Sequence, residues 1–358
     1  MRNLITCLCL LLSLSAFAQQ RHYTNLALEG GGIRGIAYGG ALKELDSLGI
    51  LPGIKRVAGT SAGAIQAALI AVGYTPDEIT DITFKTPVQQ FNDGRFIFFG
   101  GTNRLFKQYG WYRGDKFTEW IGKRLAAKTG NPNITFAELH TLATQHKARD
   151  LYVTGTNLTD QCVMVFSHET HPNMQVKHAV RISMSIPLYY RAVLLDQQGN
   201  VVTKPAKGQQ LDVLVDGGVL ANFPINVFDD PKYLADAEPD QKDFDSKGIY
   251  HNPQTLGLKL DRDEQIAFDE QQAGLAPYHI NKFSDYMAAF YTIIKESINR
   301  QNLTSHDWDR TISISTAGFS PRVRRLSEAE KGALLASGRK GVQAFLNRPQ
   351  AKTHEQTN

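Results

Sequence analysis

Ser61 stands at the centre of Gly59-Thr60-Ser61-Ala62-Gly63, with glycine two residues to either side. A serine so flanked suits the tip of a sharp strand-to-helix turn. Its hydroxyl is then exposed, and the positive end of the helix lies beneath it. In that setting it is a nucleophile. The same five residues also fit a plain tight turn, and the pattern alone leaves both readings open. Gly30-Gly31-Gly32-Ile33-Arg34-Gly35 is a second feature. Three consecutive glycines leave backbone N–H groups bare, a nest for a phosphate or for the oxyanion of a tetrahedral intermediate. Gly30, Gly32 and Gly35 also satisfy the spacing of a dinucleotide loop. That loop wants an acidic residue about 20 positions on; the chain has Lys55, Arg56 and Gly59 there instead. Ile36 stands where a Walker loop needs lysine. Asp216-Gly217-Gly218 is the third feature. A carboxylate beside glycines can serve as a base or simply open an Asp-Gly turn.

These residues need elements to hold them. Thr24 to Leu28 reads as a short strand running into Glu29 and the glycines. Tyr38, Leu42 and Leu45 share a helical face, and Gly49 is placed to close that helix. Ile54 to Ala58 reads as a second strand, and Ala62 to Val72, apolar almost all round, as a buried helix. Strand, helix, strand, helix predicts a parallel sheet covered by helices. Further strands are predicted at Leu151 to Thr156, Cys162 to Phe166, Leu211 to Val215, Thr255 to Leu260 and Thr311 to Ile314. Ile280 to Ile298 keeps helical spacing and reads as a core helix rather than a lipid-binding one. Ser327 to Glu330 makes a capping-box start for a helix reaching about Leu346. With no repeat and no convincing linker, one α/β domain with a helical C-terminal part is the simplest organisation.

Taken together, the glycine loop with its arginine, the Gly-x-Ser-x-Gly about 30 residues later and the distant Asp-Gly-Gly resemble the patatin-like phospholipase family. Ser183-Met184-Ser185-Ile186-Pro187 is similar to the family's segment ahead of its aspartate, with Ser185 where alanine is expected. Val219 to Pro224 and Leu256-Gly257-Leu258 are similar to family segments too. The resemblance runs from about Thr24 to Leu260. It implies a three-layer α/β hydrolase fold centred on a parallel sheet, with a catalytic core over 19–260 and a C-terminal extension over 261–358 packed on the same domain. It also implies a Ser61–Asp216 dyad that cleaves acyl esters of glycerolipids, with no cofactor and no metal. Gly59, Thr60, Ala62 and Gly63 would form the nucleophile elbow, Gly217 and Gly218 would follow the base, and Gly30 to Gly35 would supply the oxyanion hole. In that hole Gly31 and Gly32 would be the donors, and Arg34 would meet a substrate phosphate or neutralise a buried acid. Three other readings remain at this point. The first is a Ser-Asp-His hydrolase using His251 or His279; the second is a nucleotide-binding protein; the third is an inactive lipid-binding module.

Composition agrees with a globular chain: 42% apolar, 21% charged, formal charge +4, too small by itself to suggest nucleic acid. Lys85 to Lys128 holds nine Lys/Arg against three Asp/Glu and many aromatics. That mixture fits either an anionic lipid interface or a solvated basic face over core aromatics. Asp229 to Lys247, with seven acidic residues against three lysines, reads as a solvated loop. At the N-terminus, Arg2, the apolar run Leu4 to Leu14 and Ala16-Phe17-Ala18 predict a signal peptide over 1–18. The mature protein would be periplasmic or secreted. Cys162 would then be its lone cysteine, so the core must carry stability without an intrachain disulfide.

Overall fold

Strand residues 26 to 28 and 56 to 59 alternate in which side of one sheet they face, and that alternation organises the molecule. The computed structural model describes residues 22–94, 99–235, 237–269, 274–300, 303–319 and 325–348. The signal-peptide residues, with Cys7 and Cys9, lie outside these, as do Arg95, Phe96 and Phe98 of the basic stretch. The strands are β1 (Asn25–Leu28), β2 (Arg56–Gly59), β3 (Gly110–Tyr112), β4 (Asp150–Asn157), β5 (Cys162–Phe166), β6 (Leu188–Tyr190), β7 (Val193–Leu195), β8 (Asp212–Asp216), β9 (Thr255–Asp261) and β10 (Thr311–Ser315). The helices are α1 (Ala37–Ser47), α2 (Ala62–Ala71), α3 (Pro76–Lys85), α4 (Phe99–Gln108), α5 (Asp115–Thr129), α6 (Phe136–Thr144), α7 (Val176–Ser183), α8 (Asp263–Asp269), α9 (Phe283–Arg300), α10 (Ser305–Trp308) and α11 (Glu328–Leu346).

The main sheet runs β10-β9-β1-β2-β4-β8-β7, and β5 also pairs with β4. From β10 to β4 every pairing is parallel. Beyond β4 the pairings are antiparallel, and β4 returns as β5 through only residues 158–161. A connection that short admits only an antiparallel partner.

On one face of the sheet, Leu26, Leu28, Val57, Leu151 and Val153 join the large core with Leu42, Ala64 and Ala68 of the covering helices. On the other, Ala27, Ala58 and Tyr152 form a smaller core with Phe223, Ile225, Phe228 and Tyr233. Two alanines on that face let a segment built of 3-10 turns press close, so the third layer is largely made of turns. The acidic run 229–247 belongs to this layer. Most of its described residues are exposed, as a solvated loop predicts, but Asp229 is bound twice by buried Arg310, and Asp243 is itself buried.

The C-terminal elements extend the same body. β10 adds to the sheet beside β9, and α11 crosses α1 at backbone contact. A Cβ on Gly338 would meet the Ala37 carbonyl oxygen at 2.0 Å, and one on Gly40 would meet that of Leu335 at 1.8 Å. Gly338→Leu is therefore expected to lower unfolding free energy by about 3 kcal/mol, the upper end of overpacking costs. Urea denaturation measures it, and a loss under 0.5 kcal/mol, the ordinary scatter of about that size for surface changes, would contradict the close crossing.

Candidate active site

The parallel strands β9, β1 and β2 all end at the same edge, where Leu258, Leu28 and Gly59 are level. In open α/β sheets this carboxyl edge is where ligands bind. Ser61 sits there between β2 and α2 with φ 52° and ψ −119°. That backbone conformation costs about 1–3 kcal/mol for a residue with a side chain. The flanking glycines are explained by contact: a Cβ on Gly59 would lie 2.4 Å from the Gly63 carbonyl oxygen, and one on Gly63 would lie 2.3 Å from that of Leu28. Thr60, fully buried, anchors the turn by hydrogen bonds to Thr154 Oγ1 at 2.6 Å and to the Ala221 carbonyl at 2.8 Å.

Ser61 Oγ donates to Asp216 Oδ2 at 2.7 Å, across 155 residues of chain. Asp216 ends β8 and is buried. Its second oxygen, Oδ1, accepts from Gly218 N at 2.7 Å. The carboxylate is thus held in one orientation, with one oxygen fixed by backbone and the other on the serine.

The glycine loop follows β1 and tightens into a 3-10 turn over Gly32–Ile36, with Gly32 at φ 56°. Gly31 and Gly32 stand at the N-terminal end of that turn, where helical N–H groups lack helical partners. The Arg34 Nε donates to Gly31 O at 3.0 Å, so the arginine braces the loop. Gly30 is clamped from both sides by Asn222: its N–H donates to Asn222 O at 2.9 Å, and Asn222 Nδ2 donates to Gly30 O at 3.1 Å. Glu29, buried, accepts from Lys259 Nζ at 3.0 Å, Asn222 Nδ2 at 2.8 Å and Leu260 N at 2.7 Å. Burial of Lys259 works against its charge, but Asp261, Glu29 and Glu296 outweigh that and raise its pKa above the usual lysine value.

Sequence reasoning missed the part played by Ser183 and Ser185. Ser183, at the end of α7, accepts the Ser61 N–H on its Oγ at 2.8 Å. The Ser185 carbonyl accepts the Asp216 N–H at 3.0 Å, while its hydroxyl is bonded to buried Arg181. The serine found where alanine was expected therefore has its own partner. Ser183→Ala leaves the Ser61 N–H buried and unpaired, a cost of about 1–3 kcal/mol. If that bond sets the nucleophile's geometry, kcat on a soluble ester falls about tenfold with KM unchanged, since each 1.36 kcal/mol is tenfold. Ser183→Thr, which keeps the acceptor, restores the rate. Unchanged kcat in Ser183→Ala would reduce Ser183 to packing.

The Ser61 hydroxyl bonds Asp216 rather than either histidine considered for a triad. His251 precedes β9, whose Thr255 is level with Asn25, at the amino edge of the sheet away from Ser61. It is buried among Asp229, Asp245 and Asp307. His279 is exposed and lines a cleft with Arg34 and Asp261.

Among the described residues, two groups bring metal-ligating atoms together: His140, Asp150 and His168, and Asp229, His251 and Asp307. The first sits at the amino edge, and its imidazoles stack face to face at 3.8 Å, so their lone pairs run parallel rather than converge. In the second, Arg310 already bonds both carboxylates. Neither group touches Ser61.

Beside Gly32, Gly35 and Ala62 a cavity of about 360 Å³ opens between α2 and α5. Ile65, Leu69, Phe91, Trp120 and Leu326 line it. Phe91, Phe117 and Trp120 pack edge to face here, so these aromatics of the basic stretch serve the core. Its Phe106 and Tyr109, by contrast, are exposed.

A mixed α/β sheet with a serine on a strained turn, a carboxylate on its hydroxyl and a glycine loop at the same edge is the architecture of patatin-like hydrolases. A model of the patatin-like phospholipase family matches residues 26–229, over half the chain, and the protein belongs to that family. Among its relatives, uncharacterized protein R571 of Acanthamoeba polyphaga mimivirus is 30% identical over 292 residues, covering 81% of this chain and 82% of that one. A probable lipid hydrolase, 463L, of Invertebrate iridescent virus 6 is 26% identical over 207 residues, covering 58% and 63%. The crystal structure of VipD from Legionella pneumophila shares the fold, with TM-score 0.57 at 15% identity over 91% of this chain and 67% of that one. The family and the relatedness to 463L support a lipid hydrolase.

Proposed function

We propose that the protein hydrolyses acyl esters of glycerolipids, with Ser61 as nucleophile and Asp216 as its base. The observation that carries this is the 2.7 Å hydrogen bond from Ser61 Oγ to Asp216 Oδ2 at the carboxyl edge of the sheet. Ser61 attacks the ester carbonyl as its proton passes to Asp216. The N–H groups of Gly31 and Gly32 meet the oxyanion. The alcohol leaves with the proton, and water then cleaves the acyl-enzyme. The cavity beside Gly32 and Ala62 suits the acyl chain where Ile65, Leu69, Phe91 and Leu326 line it, and Lys85, Gln89 and Lys331 add polar groups to the same lining. Export with cleavage after Ala18 is part of the proposal, and it rests on the N-terminal sequence alone.

The test is fatty-acid release from phospholipids, lysophospholipids and acylglycerols by residues 19–358, with Ser61→Ala as the control. Release from any of the three that Ser61→Ala abolishes supports the reading. Release that survives in folded Ser61→Ala, or none from the whole panel, overturns it.

A further inference from the structure

Helix α9 carries its polarity the wrong way round for a core helix. At about 100° per residue, positions 283, 286, 290 and 293 fall within an arc of about 80°. They are Phe283, Tyr286, Phe290 and Ile293, each at least half exposed, with Phe283 at 77%. Ile280, just ahead of the helix, is 53% exposed. The rings of Phe283, Tyr286 and Phe290 form a row, with centroids 6.2 and 6.3 Å apart. Thr292, Glu296 and Asn299 lie on the opposite side, and that polar side faces the protein. Glu296 pairs with Lys259, Asn299 Oδ1 accepts the Asn222 N–H at 2.5 Å, and Thr292 lines the cleft shared with Arg34. A helix of a water-soluble body normally buries its apolar stripe and exposes its polar one. Among the described side chains, the core expectation for this helix is not met at Ile280, Phe283 and Phe290, which stand exposed, while Glu296, Asn299 and Thr292 face the protein.

We propose that this outward face of α9 seats the protein on a lipid bilayer. Three observations choose a bilayer as occupant. The polar side of the helix is bolted to residues that hold the glycine loop: Lys259 binds Glu29, and Asn222 clamps Gly30. The apolar face therefore flanks the region of the proposed catalytic loop. Its make-up, phenylalanine, tyrosine and isoleucine with exposed Lys282 at the rim, is that of an interfacial helix, whose apolar face enters the acyl boundary while a cation meets headgroups. An exposed row of large apolar side chains also needs a cover, and the substrate class supplies one. The inference rests on the glycerolipid reading of the active site. It adds where the lipid surface lies and which residues meet it.

The experiment uses Ser61→Ala protein, residues 19–358, so that binding is read without turnover. Flotation with phosphatidylglycerol–phosphatidylethanolamine vesicles gives the partition coefficient. Phe283→Ser with Phe290→Ser is expected to lower it about tenfold or more, from the apolar area withdrawn. The same pair in the active protein is expected to leave hydrolysis of a dissolved butyrate ester within about twofold, as no new catalytic contact is lost. Hydrolysis of vesicle lipid should fall with binding. Circular dichroism establishes that the double variant is folded; if it is not, Tyr286→Ser alone carries the same comparison. The proposal is overturned if the parent does not float, if the folded variant floats like the parent, or if the parent is a dimer that the substitutions dissociate. Binding that responds as expected while no lipid is ever cleaved would sink the catalytic reading and leave the docking face standing.

Discussion

Asp216→Asn is expected to bring ester hydrolysis down by about 10⁴, the upper end of what a positioned base contributes. Ser61→Ala should fall to background and lose labelling by a fluorophosphonate. The asparagine keeps the shape of the carboxylate: its oxygen still accepts from Gly218 N, and its NH2 group faces Ser61 Oγ as a donor. What disappears is the ability to take a proton. Circular dichroism and thermal melting should match the wild type, which separates chemistry from folding. Histidine substitutions form the counterpart. Each His→Ala variant that folds is expected to keep turnover within about tenfold, because a residue outside the proton path forfeits none of the 10²–10⁴ of general-base catalysis. Near-wild-type rates in folded Asp216→Asn, or a thousandfold loss in folded His251→Ala or His279→Ala, would move the base to another residue.

Lys259→Met is expected to lower stability by about 3–5 kcal/mol, the cost of stranding buried charge when one partner of an ion pair is removed. Lys259 is about 1% exposed and answers three carboxylates: Glu29, Asp261 and Glu296. Without its charge, buried Glu29 loses the bond from Lys259 Nζ, and three carboxylates lose the cation they share. Adding Glu29→Gln to Lys259→Met should recover part of the loss, as one of the three carboxylates that shared the cation is then neutral. Urea denaturation of the single and double variants reads both values. A single variant within 1 kcal/mol of wild type, about the worth of an exposed ion pair of that size, would mean the pair does not hold the loop.

Much of this molecule is legible where causes are local. The strand-turn-helix around Ser61 follows from glycine spacing and from the apolar run after it. The start of α11 is written in Ser327 and Glu330, whose reciprocal capping bonds form as the spacing predicts. Legibility fails where the partner lies far along the chain. Asp229 reads as a solvated acid because Arg310, which buries it, comes 81 residues later. Ser183 and Ser185 carry no spacing signal, since their partners Ser61 and Asp216 arrive through the sheet. Helical period assigned α9 correctly as a helix, but period alone does not say which side faces in. The ion pair of Glu296 and the amide hydrogen bond of Asn299 turn those side chains inward, and they are visible only with Lys259 and Asn222 in place. The parallel edge of the sheet was readable from alternating strand and helix; the antiparallel β4–β5 pair turned on a four-residue connection.

The backbone crossing of α1 and α11 ties the two halves of the chain into one cooperative unit. A protease cut or a stop codon ahead of Glu328 would strip the cover from Ala37 and Ala41, both fully buried in the intact protein. Helix α1 leads directly out of the glycine loop, so the damage would travel to the turn beside Ser61 without touching any residue there. Partial products of synthesis or cleavage should therefore lack hydrolytic activity altogether, a safeguard for any cell that makes an enzyme able to attack lipid.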